Sequence, residues 1–466
     1  MQLSPALTDS VIKPWLARQA YSLVLRLATP AYLWRIWSRG KVEPGYRVAW
    51  PQRLGFYGAA YRHAWQDGAT AKASGQGGRR PVLWLHAVSL GEARAATPLI
   101  QALRQQKPTM RLLLTHSTAT GREAGKALLQ PGDVQTWFPF DTPGAVRRFL
   151  KQHQPDVGVL METEVWPNVQ HVARQLGVPM VLANARLSAK SLKQGQRLAV
   201  LMRPAAQALS AVLAQTEEDA LRLRLMGSPQ VQVSGNVKFD MTPSPPLLEQ
   251  GRAWREASLR PIVLAASTRE GEEEPLLDAW LAFYGARHDA TGMSLPRLWI
   301  VPRHPQRFDE VASLITRKGV SLSRRSAWPQ GLPDAVAHQA TVWLGDSMGE
   351  MPAYFAAARV ALLGGSFEPL GGQNLIEAAA CACPIIMGPS TFNFADAAAL
   401  SEAAGAAVRV QNVAEAVKKA VEFCDVDERT RIVEACLAFA QAHRGAAARM
   451  ACEIWGFTSP HSRDNV

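Results

Sequence analysis

Short apolar runs alternate with helical patterns along most of this chain of 466 residues, and that alternation restricts the fold more than any other feature. Val82–His86, Arg111–Thr115, Val157–Met161, Met180–Asn184, Ala211–Gln215 and Gln230–Ser234 read as buried strands. Glu92–Gln105, Gly121–Leu129, Val169–Leu176, Leu201–Leu209 and Glu217–Met226 lie between them and carry helical spacing. Strands this continuously apolar need cover on both faces, which predicts βαβ units and a parallel sheet. Asp240–Pro246 (DMTPSPP) is a Pro-rich break and marks a domain boundary. The alternation then restarts, with strands at Ile262–Ala266, Leu298–Val301, Thr341–Leu344, Val360–Leu363 and Pro384–Met387. Helices are predicted at Glu273–Tyr284, Phe308–Lys318 and Met351–Ala357, and from Val413 onward. The expectation is two doubly wound α/β domains facing a cleft, with ligands at the carboxyl ends of the strands. The predicted divisions are an N-terminal segment 1–41, a first domain 42–240 and a second domain 241–466, whose last helices are candidates to pack back on the first.

The N-terminal segment has its own character. Tyr21–Trp37 is apolar and aromatic, but Arg26, Pro30 and Arg35 interrupt it. A spanning helix wants about 20 mostly apolar residues without such breaks. An interfacial helix suits the segment better, with Trp and Tyr at headgroup depth and Arg reaching anionic lipid. No small-residue cleavage site follows it, so it does not read as a secretory signal. Residues Ala69–Arg80 (ATAKASGQGGRR) read as a flexible loop. The formal net charge of +12 favours an anionic partner, but no basic tail or Arg/Lys block concentrates it, so nucleic acid is not expected. The five cysteines, Cys381, Cys383, Cys424, Cys436 and Cys452, fall in apolar patterns late in the chain and read as reduced core thiols.

Four constellations carry chemistry. The first is Leu85–Glu92 (LHAVSLGE), which puts Glu92 at a helix start beside a strand end. Ser89-Leu90-Gly91-Glu92 also fits the capping box, and the helix dipole is expected to lower the carboxyl pKa. The second is Met161–Asn168 (METEVWPN), where Glu162 and Glu164 follow a strand and share a side if it continues. The third is Pro302-Arg303-His304-Pro305, in which Arg303 suits a phosphate or carboxylate and His304 can donate to one. The fourth is Leu362–Gly388 (LLGGSFEPLGGQNLIEAAACACPIIMG), a strand, a Gly-rich loop, a helix and a strand. Its paired glycines free backbone N–H groups to face an anion at a helix N-terminus, and Glu377 lies where it can accept from sugar hydroxyls. Gly349 and Glu350, in Gly345–Glu350, follow another strand at the same edge. No metal-ligand cluster or Walker A sequence appears, and no Gly-x-Gly-x-x-Gly follows a strand. Neither a metal nor a nicotinamide or ATP cofactor is expected.

Taken in order, the motifs resemble the 3-deoxy-D-manno-octulosonic acid (Kdo) transferase family. PGYRVAWPQRLGFY, HAVSLGE, METEVWPN, SGNVKFD, ASTREGEEE, PRHPQRF, GDSMGEMP, GGSFEPLGGQNLIE and GPSTFNF span nearly the whole chain. The resemblance implies a GT-B fold and inverting, metal-independent transfer of Kdo from CMP-Kdo to the acylated, bisphosphorylated glucosamine disaccharide precursor of lipid A (lipid IVA). It implies Glu92 as general base, with Glu162 or Glu164 as a second essential carboxylate. It implies a CMP-Kdo set of Ser267, Thr268, Arg303, His304, Gly349, Glu350, Gly365, Ser366, Gly371, Gly372, Gln373, Asn374 and Glu377. It also implies no cofactor, and a place on the inner, cytoplasmic membrane, peripheral or singly anchored, with the catalytic domains on the cytoplasmic side. Gln373 and Arg269 stand where the family usually has histidine. The rival readings are another GT-B nucleotide-sugar enzyme (a UDP-sugar transferase or an epimerase) and a non-enzymatic membrane-associated sugar-nucleotide-binding protein.

Overall fold

The computed structural model describes residues 5–70, 80–287, 296–424 and 426–458. Most of the loop expected at Ala69–Arg80 lies outside them. The chain divides into two compact units, Met1–Asp240 with Arg444–Val466, and Met241–His443.

The first unit is a parallel sheet of seven strands: β1 (Val82–His86), β2 (Arg111–His116), β3 (Val134–Trp137), β4 (Val157–Met161), β5 (Met180–Ala185), β6 (Ala211–Ala214) and β7 (Val231–Val233). Their order is β3-β2-β1-β4-β5-β6-β7. Every residue of β1, β2, β4, β5 and β6 is buried, which is why these strands read as unbroken apolar runs. The edge strands are another matter. β3 contains Gln135 and Thr136 and is half covered, so the sequence pattern did not reveal it. The order reverses between β1 and β4, and the turns leaving those two strands therefore splay apart at their carboxyl ends.

The N-terminal helix, Pro5–Arg39, is part of this unit rather than a separate segment. Tyr21 donates to Asp141 at 2.9 Å, and Ser22 donates to Asn168 at 3.1 Å. Ile36 packs with Tyr46 and Trp137. The opposite face leaves Trp15, Leu16, Leu23, Leu27, Trp34 and Trp37 exposed. Among the described residues, no helix is long and apolar enough to cross a membrane. The last helix, Ala446–Gly456, also belongs here: Met450 and Ile454 enter the core beside Leu99 and Leu103, and Trp455 donates to the Leu103 carbonyl. The Asp240 carboxylate accepts from the amides of Gly445 and Ala447, which caps that helix.

The second unit repeats the design with β8 (Ile262–Thr268), β9 (Arg297–Pro302), β10 (Leu322–Arg324), β11 (Val342–Leu344), β12 (Val360–Leu363), β13 (Ile385–Met387) and β14 (Ala407–Arg409). The order is β10-β11-β9-β8-β12-β13-β14, all parallel, and here the reversal falls between β8 and β12. One face of this sheet is sealed by Trp254, Trp299, Trp328, Trp343 and Tyr354, with ring centroids 4.8–5.9 Å apart. The five cysteines are free thiols, and Cys381, Cys383 and Cys436 are buried.

Candidate functional site

Each unit gathers chemistry at its own strand-order reversal. In the first unit, β1 runs into Ala87-Val88-Ser89, and the helix Leu90–Gln106 begins immediately. Ser89 is its N-cap and its hydroxyl receives the Glu92 amide at 3.4 Å. Glu92 completes the box by accepting from the Val88 amide at 2.8 Å, while its other oxygen receives the Ser89 hydroxyl at 3.3 Å. The capping role is therefore real. It spends about one lone-pair direction on each oxygen and leaves the others open.

The expectation that the helix dipole lowers the Glu92 pKa is corrected. The group is pushed up to about 7, first by burial and then by the neighbouring carboxylates Glu162 and Glu164. The Val88 amide and Ser89 hydroxyl oppose the rise without cancelling it. Desolvation wins because the side chain is largely withdrawn from water, where a terminal dipole counts for less than the lost hydration.

Glu162 and Glu164 come from the turn after β4, across the reversal from Glu92. They do not extend the strand. β4 ends at Met161, and Glu162 sits in the left-handed region at φ 59°. The side-chain alternation that would have placed both carboxylates on one side therefore stops one residue early. Glu162 instead pairs with Lys238 at 3.2 Å, and Glu164 accepts from the Trp166 indole N–H at 2.7 Å. Burial raises the Glu164 pKa, and Glu162 adds to it. Lys238 is a site residue that sequence reasoning passed over within SGNVKFD.

In the second unit, the predicted donor residues lie at the carboxyl ends of β8, β9, β11 and β12 or on the segments that follow them. They divide into two kinds. Some are consumed in bracing the scaffold. Thr268 donates to Glu273 at 2.7 Å, and Ser366, fully buried, receives the Gly388 amide at 2.8 Å. Glu350 accepts from Gln250 and Arg325, each at 2.9 Å, and from Ser347. Gly349, at φ 84°, shapes that turn.

The others remain partly exposed: Ser267, Arg303, Gln373, Asn374 and Glu377 are half-buried and His304 is exposed. Ser267 is held at φ 57° because β8 bulges beside it. Burial depresses the His304 pKa, and Arg269 and Arg303 lower it further, so two cations, Arg269 and Arg303, stand on adjoining turns beside an imidazole that favours its neutral form. Asn374 caps the helix Leu375–Ala380 by receiving the Ile376 amide at 3.2 Å.

The Gly-rich loop departs from expectation in one respect. Its amides were expected to face a ligand, but four of them bond inside the protein. Gly365 and Phe367 donate to Glu272 at 2.7 and 3.1 Å, Gly371 to the Ser390 hydroxyl at 3.0 Å, and Gly372 to the Gly365 carbonyl at 2.7 Å. The glycines are needed for conformation instead. Gly371 and Gly372 have φ values of 86° and 72°, and a Cβ at Gly371 would meet Asn393 and Phe392 at 2.6 Å.

Two α/β units, each built on a seven-stranded parallel sheet, make a GT-B-type fold. A glycosyltransferase of Rickettsia africae shares it with a TM-score of 0.53 at 13% identity, over 81% of this chain and 98% of that one. UDP-GlcNAc 2-epimerase of Neisseria meningitidis, solved bound to UDP-GlcNAc, shares it with a TM-score of 0.54 at 15% identity, over 80% and 99%. Sequence narrows the class. Residues 48–241 match the profile of the family described as 3-Deoxy-D-manno-octulosonic-acid transferase (kdotransferase). The chain is 43% identical to the 3-deoxy-D-manno-octulosonic acid transferase of Bordetella pertussis, over 94% of this chain and all of that one. It is 32% identical to the enzyme of the same name from Haemophilus influenzae, over 92% and 96%. The chain belongs to the Kdo transferase family, and its activity is that of a glycosyltransferase acting on Kdo.

Proposed function

We infer that the enzyme moves Kdo from CMP-Kdo to an acylated, bisphosphorylated glucosamine disaccharide, inverting the anomeric centre, with Glu92 as the base. The observation that carries this reading is the Glu92 carboxyl, raised to about 7 at the reversal point of the first unit. A base poised near the working pH removes a hydroxyl proton best. The acceptor oxygen attacks the anomeric carbon of Kdo, and its proton passes to the Glu92 carboxylate. The bond from that carbon to the CMP phosphate breaks, and CMP leaves with the electron pair. Attack opposite the leaving group inverts the centre.

On the donor side, Arg269 and Arg303 supply the positive field that steadies the departing phosphate, and the neutral His304 imidazole can donate a hydrogen bond to it. That field is the protein's own, in keeping with transfer without a metal. In this reading Glu377, in the first turn of its helix, accepts from the ribose hydroxyls.

The acceptor carries acyl chains, and the N-terminal helix offers them a surface. The same unit carries a basic group, Arg18, Arg147 and Arg174 around His171, whose combined charge holds the imidazole pKa down after burial. Together they suit the anionic cytoplasmic face of the inner membrane, entered from one side and not crossed. The test is incubation with CMP-Kdo and the tetra-acylated disaccharide, with products read by mass spectrometry and anomeric configuration by NMR. Absence of a Kdo mass increment, or a retained anomeric configuration, refutes it.

A further inference from the structure

The second unit contains a buried carboxylate that no step above uses. Glu272 is 4% exposed and lies in the turn between β8 and the helix Glu273–Arg287. One of its oxygens accepts from Gly365 at 2.7 Å and from Arg269 at 2.8 Å, and the other accepts from Phe367 at 3.1 Å. These amides come from two turns, one after β8 and one after β12, which are the strands flanking the reversal of this sheet. The next residue, Glu273, is neutralised differently, by Arg307 at 2.6 and 3.1 Å and by the Thr268 hydroxyl. Two adjacent carboxylates therefore do separate jobs. Glu273 fastens the turn to the following segment, and Glu272 spans the gap where a nucleotide docks in folds of this kind.

The consequences reach the ligand-facing side. Drawing the Gly365 amide inward leaves its carbonyl to receive the Gly372 amide at 2.7 Å, which sets the second glycine pair. A Cβ on Gly365 would lie 3.1 Å from Gln373 Nε2 and 3.6 Å from Arg269 Cγ, so those two side chains converge on the bare face of that glycine. Glu272 holds the backbone of both participants. Its Arg269 bond fixes one turn, and its Gly365 and Phe367 bonds fix the loop that bears Gln373.

We propose that Glu272 is the positioning residue of the sugar-nucleotide site, welding the Arg269 turn to the Gly365–Phe367 loop so that Arg269 and Gln373 meet the donor together. The assignment rests on the donor reading above. Glu272→Gln is the direct probe, because two N–H groups converge on one oxygen and a third meets the other. A side-chain amide sets its own NH2 against at least one of them. The folded variant, verified by circular dichroism and melting temperature, is expected to bind CMP about tenfold more weakly or worse. The donor KM should rise in step, and kcat should fall as Arg269 loses its place beside the departing phosphate, while the acidic limb of the pH profile stays where it is in wild type, since the base in the first unit is untouched. CMP affinity within about twofold of wild type in a folded variant would overturn the assignment.

A second measurement needs no variant. In the wild-type protein the Gly365 and Phe367 amides should exchange hydrogen for deuterium about 100-fold slower than in an unfolded chain, before any ligand is added. Exchange at the unfolded rate would overturn the assignment as well. If wild-type protein fails to bind CMP at all, the donor reading itself falls and this assignment falls with it, an outcome distinct from a wild type that binds and a variant that binds equally well.

Discussion

Lys238 Nζ lies 3.2 Å from Glu162 Oε1, and this ion pair reaches Glu92 through the field of the Glu162 carboxylate, which helps to raise the Glu92 pKa. Lys238 is thus a brake on that rise. In Lys238→Gln, the Glu162 charge acts on Glu92 uncompensated. The acidic limb of the kcat/KM profile should move to higher pH by on the order of 0.5, the size expected of one charge a few ångströms away in partly solvated surroundings. A limb that stays where it is in wild type would show that the pair has no influence on the base.

Glu92 itself carries two roles that Glu92→Gln separates. The amide oxygen can still receive the Val88 N–H, so most of the cap survives, while the base is lost. Turnover should fall about 100-fold or more. Stability should move the other way at alkaline pH. The folded pKa of about 7 stands above the ordinary 4.5, so the folded state holds the proton more tightly than the unfolded chain does. This group's contribution to stability therefore declines as pH rises from about 4.5 to about 7 and stays low above that. Gln never ionises and escapes the decline. The variant should melt higher than wild type at pH 8 and alongside it near pH 4.5. A variant with near-normal turnover would reduce Glu92 to a cap.

Gly372→Ala tests the loop by strain rather than by obstruction. Gly372 has φ 72°, and a new Cβ would lie 3.4 Å from the Ser390 carbonyl, in contact but not in collision. The left-handed conformation costs a side chain roughly 1–2 kcal/mol, which the loop can relieve by giving up its bond to Gly365. CMP should bind about tenfold more weakly by calorimetry, while binding of the lipid acceptor is unchanged. Equal CMP affinity would remove this glycine from the site.

How much of this was legible depended on burial. β1, β4 and β12 have the bounds predicted from their apolar runs, because both faces of each are covered. The strands β3, β10 and β14 escaped notice because they are short or lie at sheet edges with polar residues such as Gln135, Ser323 and Arg409. Glu92 was visible because strand end, capping box and helix start coincide in a few residues. Its pKa was misjudged because burial is a tertiary property and the dipole a local one. Glu162 was misplaced because nothing in Met161-Glu162-Thr163 announces a left-handed residue. Glu272 was hidden in the acidic run Glu270-Gly271-Glu272-Glu273-Glu274, which looks like a solvated face. Only the fold reveals that one member of the run turns inward to three amides while another meets Arg307.

The N-terminal helix gives the last prediction, and the fold changes how it should be tested. Deleting the chain up to Val42 would strip Tyr21 from Asp141 and Ser22 from Asn168, and would open the cluster around Trp137. Asp141 is buried, and burial already holds its pKa up at about 7. Losing one of its donors should cost about 1–3 kcal/mol, so truncation confounds attachment with folding. Substitutions on the outer face avoid this, since Leu23, Leu27 and Trp34 are 56–73% exposed. Spacings of four and seven residues put them on one stripe of the helix. Leu23→Ser, Leu27→Ser and Trp34→Ser together should leave the melting temperature unchanged and abolish flotation with anionic liposomes at low and high salt. Each apolar side chain contributes roughly 1.5–3 kcal/mol when fully buried in lipid. Arg147→Glu with Arg174→Glu should act differently. It removes attraction of about 1 kcal/mol per cation near an anionic surface, so it should weaken flotation at low salt and matter little once salt screens the charge. If the apolar variant floats as well as wild type, that stripe is not the lipid contact.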